Sequence, residues 1–305
     1  MTAQQPSKER SGAADDRLER SKDLIQAGRF DAAEAELLEL VDHELEPHLE
    51  AQALYMLTVS RRYLKDFDGA LASADQLLRA QPDYGRAHQE RGHAYLAMQR
   101  PDAAADAFAA AVECHPGLVA SWRSLEKLHA LAGRERQARF ARAQLDYLSE
   151  LPPELLGVID LTHEGRLLQA DQLCRQFLQN NKHHIEAMRL LADIGIRLRV
   201  YDDAEFLLES CVELAPDNIR ARGDYVKILN RKGKFQQAYD QARLLDERQP
   251  QNPAWKLGMA SALTGLGRVD EAITLFEDNV ERTDNKPGVQ VMLCLLYTST
   301  SPRDS

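Results

Sequence analysis

One stretch of the sequence shows the pattern that repeats along the chain: Val200-Tyr201-Asp202-Asp203-Ala204-Glu205-Phe206-Leu207-Leu208-Glu209-Ser210-Cys211-Val212-Glu213-Leu214-Ala215-Pro216-Asp217-Asn218. It begins with an aromatic residue that closes one helix, continues as an amphipathic helix with an acidic start, and ends at a Pro-Asp-Asn stop. Steps of 34 residues, or close to it, connect Ala204 with alanines along the whole chain: Ala33, Ala70, Ala104, Ala138, Ala170, Ala238 and Ala272. Eight alanines in register predict a tandem array of stacked helix pairs.

The residues around these alanines predict where the helices of each pair end and begin. Glycine takes the left-handed conformation that ends a helix without strain, and it recurs before the second helix as Gly28, Gly133, Gly165, Gly233 and Gly267. An acidic residue stands two positions before many of the alanines, where we expect it to cap the second helix: Asp31, Asp68, Asp102, Asp202 and Asp270. Proline fixes most joints between pairs, as Pro47, Pro82, Pro116, Pro216 and Pro250.

One unit carries the pattern most fully, namely Gly85-Arg86-Ala87-His88-Gln89-Glu90-Arg91-Gly92-His93-Ala94-Tyr95 followed by Ala104, Phe108, Ala111 and Pro116. With this unit the chain resembles the tetratricopeptide repeat family over roughly residues 17–293. The resemblance implies an all-α fold, a right-handed superhelical solenoid of stacked antiparallel helix pairs. It implies about eight units and the start of a ninth.

The pattern predicts five segments. Residues 1–16 are polar and aperiodic, so we expect a disordered lead; residues 17–150 hold units one to four and residues 151–286 hold units five to eight. Glu126 and Val158 are large where the best unit has Gly92, and Pro152-Pro153 follows, so we expect a bend or a boundary between units four and five. Residues 287–293 would start a ninth unit.

The last segment, residues 294–305, looks non-native. Its Thr-Ser-Thr-Ser-Pro run resembles the translation of a sequencing adapter, which favours a truncated reading frame over the alternative of a genuine short helix end. The stretch from Leu151 to Pro287 is also similar to the front half of bacterial proteins that join tetratricopeptide repeats to a sulfotransferase domain. Such a domain transfers a sulfuryl group from 3′-phosphoadenylyl sulfate, and none of its nucleotide-binding residues is present here.

Composition and motifs narrow the function. A net charge of −10 argues against general affinity for nucleic acid or for acidic membranes. The four cysteines are widely spaced and form no metal or disulfide pattern, and residues 1–16 have no apolar core of a signal peptide, so we expect a cytoplasmic protein. The sequence contains no phosphate-binding loop, dinucleotide fingerprint or zinc helix, and His183-His184 is interpreted as a solvated pair. We therefore expect no cofactor, no metal and no enzyme activity from these residues.

Basic residues are predicted to gather on the inner face, which the first helix of each pair lines. The candidate partner-binding residues are Arg86, His93, Arg123, Lys127, Arg189, Arg197, Arg220, Lys227 and Arg231. They could pair with the carboxylates of an acidic protein or peptide. The alternative is a solvated face that neighbouring acids such as Glu186 and Asp193 balance. Chaperone-binding members of the family use a lysine and asparagine pair. The corresponding spacing here gives Arg123 with Lys127 and Arg189 with Asp193, without an asparagine, so chaperone tails are not expected.

Two functions follow from these patterns. The first is a non-catalytic scaffold that binds a partner segment in a concave groove. The alternative is the partner-binding or substrate-binding arm of a sulfotransferase whose catalytic domain is missing, which leaves the activity of a longer parent open. The sequence does not predict the oligomeric state.

Overall fold

The structure is a computed structural model that describes residues 5–43, 45–250 and 252–282, with side chains described from residue 14 to residue 277. Within that part every regular element is an α-helix, and there are sixteen of them. The all-α class is therefore confirmed. No described helix is long and apolar enough to cross a membrane.

The chain divides into two compact units, Met1–Pro152 and Pro153–Ser305, next to the boundary that the sequence predicts between the fourth and fifth pairs. The first unit contains α1 Gln5–Gln26, α2 Phe30–Val41, α3 Pro47–Tyr63, α4 Phe67–Ala80, α5 Gly85–Ala97, α6 Pro101–Cys114, α7 Val119–Leu131 and α8 Glu135–Glu150. The second unit contains α9 Pro153–His163, α10 Leu167–Asn180, α11 Ile185–Arg197, α12 Tyr201–Leu214, α13 Ile219–Arg231, α14 Phe235–Arg248, α15 Pro253–Gly265 and α16 Val269–Arg282.

Within each unit the helices stack as consecutive pairs. Each helix packs against the next one along the chain, and first helices of successive pairs also touch: α1 with α3, α3 with α5, α9 with α11, α11 with α13, and α13 with α15. Each unit is thus a solenoid of stacked helix pairs, as the alanine period predicts.

The alanines of the period form the tightest contacts. Seven of the eight are at most 1 % exposed, and the residue four positions later is fully buried where it is large, as in Phe108, Leu208 and Phe276. The exception is Ala138, which is only half-buried. In α8 the packed residues are Ala141 and Leu148, so the predicted role of Ala138 is wrong.

The corner before the second helix has the predicted left-handed residue. All five predicted glycines have φ between 69° and 76°. Lys65, Gln99 and Arg199 occupy the same corner in three other pairs, with φ of 65°, 59° and 63°. The backbone of these three residues is left-handed, a conformation that costs free energy in any residue with a β-carbon.

The predicted acidic caps are wrong in detail. Asp66, not Asp68, caps α4, because its side chain accepts a hydrogen bond of 3.0 Å from the amide of Gly69. Asp31, Asp102 and Asp202 lie in the first turn of their helices, whose N-cap residues form no side-chain capping hydrogen bond. Asp270 is also in the first turn of its helix. There their charge complements the helix dipole.

The expected disordered lead is also corrected. Helix α1 begins at Gln5, and Ala14 and Leu18 are buried in one core with Leu37. This end of α1 is helical because Ala14 and Leu18 share a buried core with Leu37 of its partner helix α2. Residues 1–4, the start of a ninth unit at 287–293, and the tail at 294–305 lie outside the described residues. Cys174 and Cys211 are buried free thiols, whereas Cys114 is a half-buried one.

Candidate partner-binding surface

All of the predicted site residues lie on first helices. We call the surface that the first helices present in each unit its first-helix face. In the first unit it carries Arg86 and His93 on α5 and Arg123 and Lys127 on α7. In the second unit it carries Arg189 and Arg197 on α11, and Arg220, Lys227 and Arg231 on α13. The assignment of these nine residues to first helices, made from the repeat phase alone, agrees with the structure.

The cations of the second unit are largely paired with carboxylates of the same face. Arg189 donates from Nε to Oδ2 of Asp224 at 2.9 Å and also pairs with Glu186. Lys227 donates to Oδ1 of Asp224 at 2.9 Å. Burial opposes ionisation of Asp224, yet Arg189 and Lys227 hold the pKa of that carboxyl below its ordinary value. Asp224 therefore stays charged between two cations of adjacent pairs.

The other cations of that face are placed differently. Arg197 pairs with Asp193 one turn before it, at 2.9 Å. The guanidinium of Arg231 lies 5.8 Å from the centre of the Tyr201 ring, and Arg220 is half-buried at the start of α13. In the second unit, acids such as Glu186 and Asp193 therefore balance part of the positive charge, as the alternative of a solvated, balanced face describes.

The first unit has a buried polar cluster between α3 and α5. Glu90 is only 7 % exposed and forms an ion pair with Arg62. Burial and the nearby Glu90 raise the pKa of Tyr55, while hydrogen bonding to Arg86 and the charge of Arg62 oppose that rise. Arg86 is thus engaged with Tyr55 in the cluster, which limits its reach toward a ligand.

His93 adds no positive charge to this face at neutral pH. Burial lowers its pKa below the ordinary value of 6.5, and its ring packs edge-on against Phe108 with centroids 5.0 Å apart. The prediction that His93 contributes to a basic groove is therefore corrected. Its neutral ring fills space between α5 and α6.

Arg123 and Lys127 differ from the other predicted cations. Both are exposed on α7, and neither has an ion-pair or hydrogen-bond partner among the described residues. They stand one helical turn apart, so their side chains share one face of the helix. Together they place two cations without an ion pair, among the described residues, on one helix. Arg231 of the second unit is also exposed and without a described ion pair, but its guanidinium lies against the Tyr201 ring.

Sequence reasoning missed Asp224, Arg62 and Glu90. Arg62 and Glu90 are charged residues at first-helix positions that the repeat phase could have aligned. Their burial could not be read from the sequence because it depends on the contact between α3 and α5. His184, interpreted as solvated, instead caps α11 by accepting a bond of 3.3 Å from the amide of Ala187. Within the described residues no group of three His, Cys, Asp or Glu side chains could hold a metal ion.

Comparison with known protein families finds one family that two segments of the chain resemble. Sequence models described as tetratricopeptide repeat match residues 55–119 and residues 199–256, which lie in separate units. These two segments are therefore similar to tetratricopeptide repeats. These two matches include all of α4, α5 and α6 in the first unit, and all of α12, α13 and α14 in the second. The candidate residues Arg86, His93, Arg220, Lys227 and Arg231 thus lie within matched repeats.

Two relatives share part of the repeat array. Tetratricopeptide repeat protein 21A of Mus musculus is 27 % identical over 175 residues, which are 55 % of this chain and 13 % of that protein. Vi polysaccharide export protein VexE of Salmonella typhi is 29 % identical over 114 residues, which are 37 % of this chain and 17 % of that protein. The chain matches less than a fifth of the length of either relative.

Among solved structures, yeast Tom70 is similar with a TM-score of 0.45 and 14 % identity, over 90 % of this chain and 60 % of Tom70. The APC/C hetero-tetramer Cut9-Hcn1 is similar with a TM-score of 0.44 and 13 % identity, over 92 % of this chain and 55 % of that one. Neither TM-score reaches 0.5. The fold assignment therefore rests on the helix pairs and on the matched repeats.

Proposed function

We propose that the chain is a non-catalytic protein-interaction scaffold that holds a segment of a partner protein on a first-helix face. The observation that carries this proposal is the contact between successive first helices, which puts charged side chains of separate repeats on one surface. Arg189 of α11 reaching Asp224 of α13 is the clearest case. A surface assembled from several repeats can follow an extended partner segment over its length.

The partner segment that we propose is acidic. Arg123 and Lys127 are exposed cations without a described partner, whereas a ligand on α11 and α13 would have to compete with Glu186, Asp193 and Asp224. Charge-assisted hydrogen bonds to carboxylates are stronger than neutral ones. The first unit therefore offers the better site for an acidic chain. No described residue favours the sulfotransferase arm, which stays a prediction.

Site-specific photo-cross-linking tests the scaffold. A benzoylphenylalanine at Ala130, exposed on α7, should capture a partner from a lysate of the source organism, and the charge reversals Arg123→Glu and Lys127→Glu should abolish that capture. The matched control places the cross-linker at Asp106, exposed on the second helix α6 of the neighbouring pair. Equal capture of the same partner from Asp106, or capture that survives both reversals, would contradict the proposal.

A further inference from the structure

Helix α7 carries a distinctive row of three residues on the first-helix face. Arg123, Lys127 and Leu131 follow one another at intervals of four residues, and all three are exposed, Leu131 by 88 %. Residues four apart lie above one another on a helix, so the three side chains form one line. We call this line the α7 stripe.

The equivalent lines of the second unit have different chemistry. Helix α11 carries Arg189, Asp193 and Arg197 at the same positions, and helix α13 carries Gly223, Lys227 and Arg231. In α11 the central aspartate pairs with Arg197, and in α13 the central Lys227 pairs with Asp224. The α7 stripe has a lysine at its centre and no described carboxylate on either cation.

The third position of the stripe is apolar. Leu131 stands where α11 and α13 have Arg197 and Arg231, so this first helix ends its exposed line in a leucine and not in a cation. A single exposed leucine is common on protein surfaces. Here the leucine continues a line of two cations that form no described ion pair. A ligand that matches these three side chains has negative charge at two points and an apolar group at the third.

The geometry points to an extended acidic peptide, and we propose that the α7 stripe binds a partner segment in which two carboxylate residues and one apolar residue alternate with other residues. The two carboxylates face Arg123 and Lys127, and the apolar residue covers Leu131. Four residues of α-helix advance about 6 Å along the axis. Two residues of an extended chain advance about 6.6 Å, and every second side chain points the same way. The pattern is acid-x-acid-x-apolar, or apolar-x-acid-x-acid when the segment runs in the opposite direction along α7.

This inference rests on the proposed function and specifies its ligand. An extended protein segment fits better than nucleic acid or an anionic membrane, because the chain is acidic as a whole, with a net charge of −10. Glu126 lies beside Lys127 on the same helix and pairs with Arg142 at 3.5 Å, which places negative charge next to the stripe. Glu126 would repel a broad polyanion such as RNA or a membrane surface. A peptide whose acidic side chains contact only the α7 stripe would avoid that repulsion.

Selection from a random twelve-residue peptide library displayed on phage tests the pattern. Wild-type protein should enrich acid-x-acid-x-apolar sequences. Lys127→Glu should replace the preference for an acid at one position with a preference for lysine or arginine. Leu131→Ser should remove the apolar preference and keep both acids. On a selected peptide, each of Arg123→Ala, Lys127→Ala and Leu131→Ser should weaken binding by about fivefold, which corresponds to the ~1 kcal/mol of one exposed ion pair or one partly covered leucine.

Two matched controls use exposed side chains outside the stripe. Arg136 on α8 is an exposed cation with no described partner, and Leu168 on α10 is 77 % exposed. Arg136→Ala and Leu168→Ser should leave the selected pattern and the affinity unchanged. Circular dichroism of every variant should show wild-type helix content, because all of these side chains are exposed.

The inference would be overturned by enrichment of another spacing, by a pattern insensitive to the α7 variants, or by wild-type binding to anionic vesicles or RNA as tight as to the selected peptides. Peptides whose binding depends on Arg197 and Arg231 but not on the α7 stripe would overturn it while leaving the scaffold proposal intact. A library that yields no binder, together with failed capture by the cross-linker at Ala130, would contradict both.

Discussion

Arg189 of α11 and Asp224 of α13 are joined across consecutive repeats, with Nε of the arginine 2.9 Å from Oδ2 of the aspartate. The side chain of Arg189 is 15 % exposed and that of Asp224 is 25 % exposed, so the link is partly withdrawn from water. Glu186 and Lys227 complete the group on either side. Two neighbouring repeats are thus held together by charge on the face proposed to bind partners.

Removing the shared carboxylate should destabilise the second unit. We expect Asp224→Ala to lower the free energy of unfolding by about 2 kcal/mol, because it removes charged hydrogen bonds from a partly buried group. Urea unfolding followed by circular dichroism measures this change. The control is Glu247→Ala, which breaks an ion pair with Arg243 whose side chains are 54 % and 55 % exposed and should cost less than about 0.5 kcal/mol. Equal effects of the two substitutions would refute the special role of Asp224.

The same carboxyl predicts a pH dependence. The pKa of Asp224 lies below its ordinary value of 3.8 in the folded chain, since Arg189 and Lys227 outweigh the effect of burial. A lowered pKa gives stability that is present above the unfolded value and disappears as pH falls through the folded one. Wild type should therefore exceed Asp224→Asn in stability at pH 7, and the difference should shrink below about pH 4. A difference that stays constant on acidification to pH 2 would be inconsistent with this assignment.

The corners with non-glycine residues offer a gain in stability. Lys65, Gln99 and Arg199 hold positive φ where the other described corners have glycine. Replacing each by glycine should raise the free energy of unfolding by about 0.5–1 kcal/mol, because the strain of the β-carbon is relieved. Thermal unfolding of the single and triple variants measures it. Lys65→Ala keeps a β-carbon and should change little, whereas Gly28→Ala should cost about 1 kcal/mol. No gain in the triple variant would show that these corners are not strained.

Two glycines inside first helices should respond in opposite directions to alanine. A β-carbon at Gly92 would lie 2.7 Å from ring atoms of Phe108, while one at Gly195 would lie 3.5 Å from its nearest neighbour, Ala204. Gly92→Ala should therefore cost about 1–3 kcal/mol through overpacking. Gly195→Ala should gain up to about 1 kcal/mol of helix propensity. Chemical unfolding of both variants decides the matter, and a stabilised Gly92→Ala would contradict the close crossing of α5 and α6.

The period of the fold can be predicted from the sequence because each packed alanine sits at a contact that tolerates no larger group. The same holds for the five corner glycines, whose left-handed conformation one residue type favours. Ala138 was mistaken because Ala138 and Ala141 stand three residues apart, and only packing against α7 shows which of them is buried. Lys65, Gln99 and Arg199 give no local signal of their corner conformation.

The candidate site could be predicted in position but not in charge state. Repeat phase places all nine residues on first helices. It cannot show that Asp224, 35 residues after Arg189, neutralises it, since that contact exists only after two repeats have stacked. Nor can it show that the His93 ring packs edge-on against Phe108. Nor can it show that Arg189, Arg197 and Lys227 are held in ion pairs while Arg123 and Lys127 form none among the described residues.

Hydroxyl-radical footprinting of the chain with and without its captured partner shows whether the partner lies on the first-helix face. Leu131, Leu168 and Phe206 are 88 %, 77 % and 69 % exposed, so all three side chains should oxidise readily in the free protein. Leu131 lies on a first helix, whereas Leu168 and Phe206 lie on second helices. The partner should protect Leu131 and leave the other two side chains unchanged. Protection of Phe206 or Leu168 with no change at Leu131 would contradict that placement.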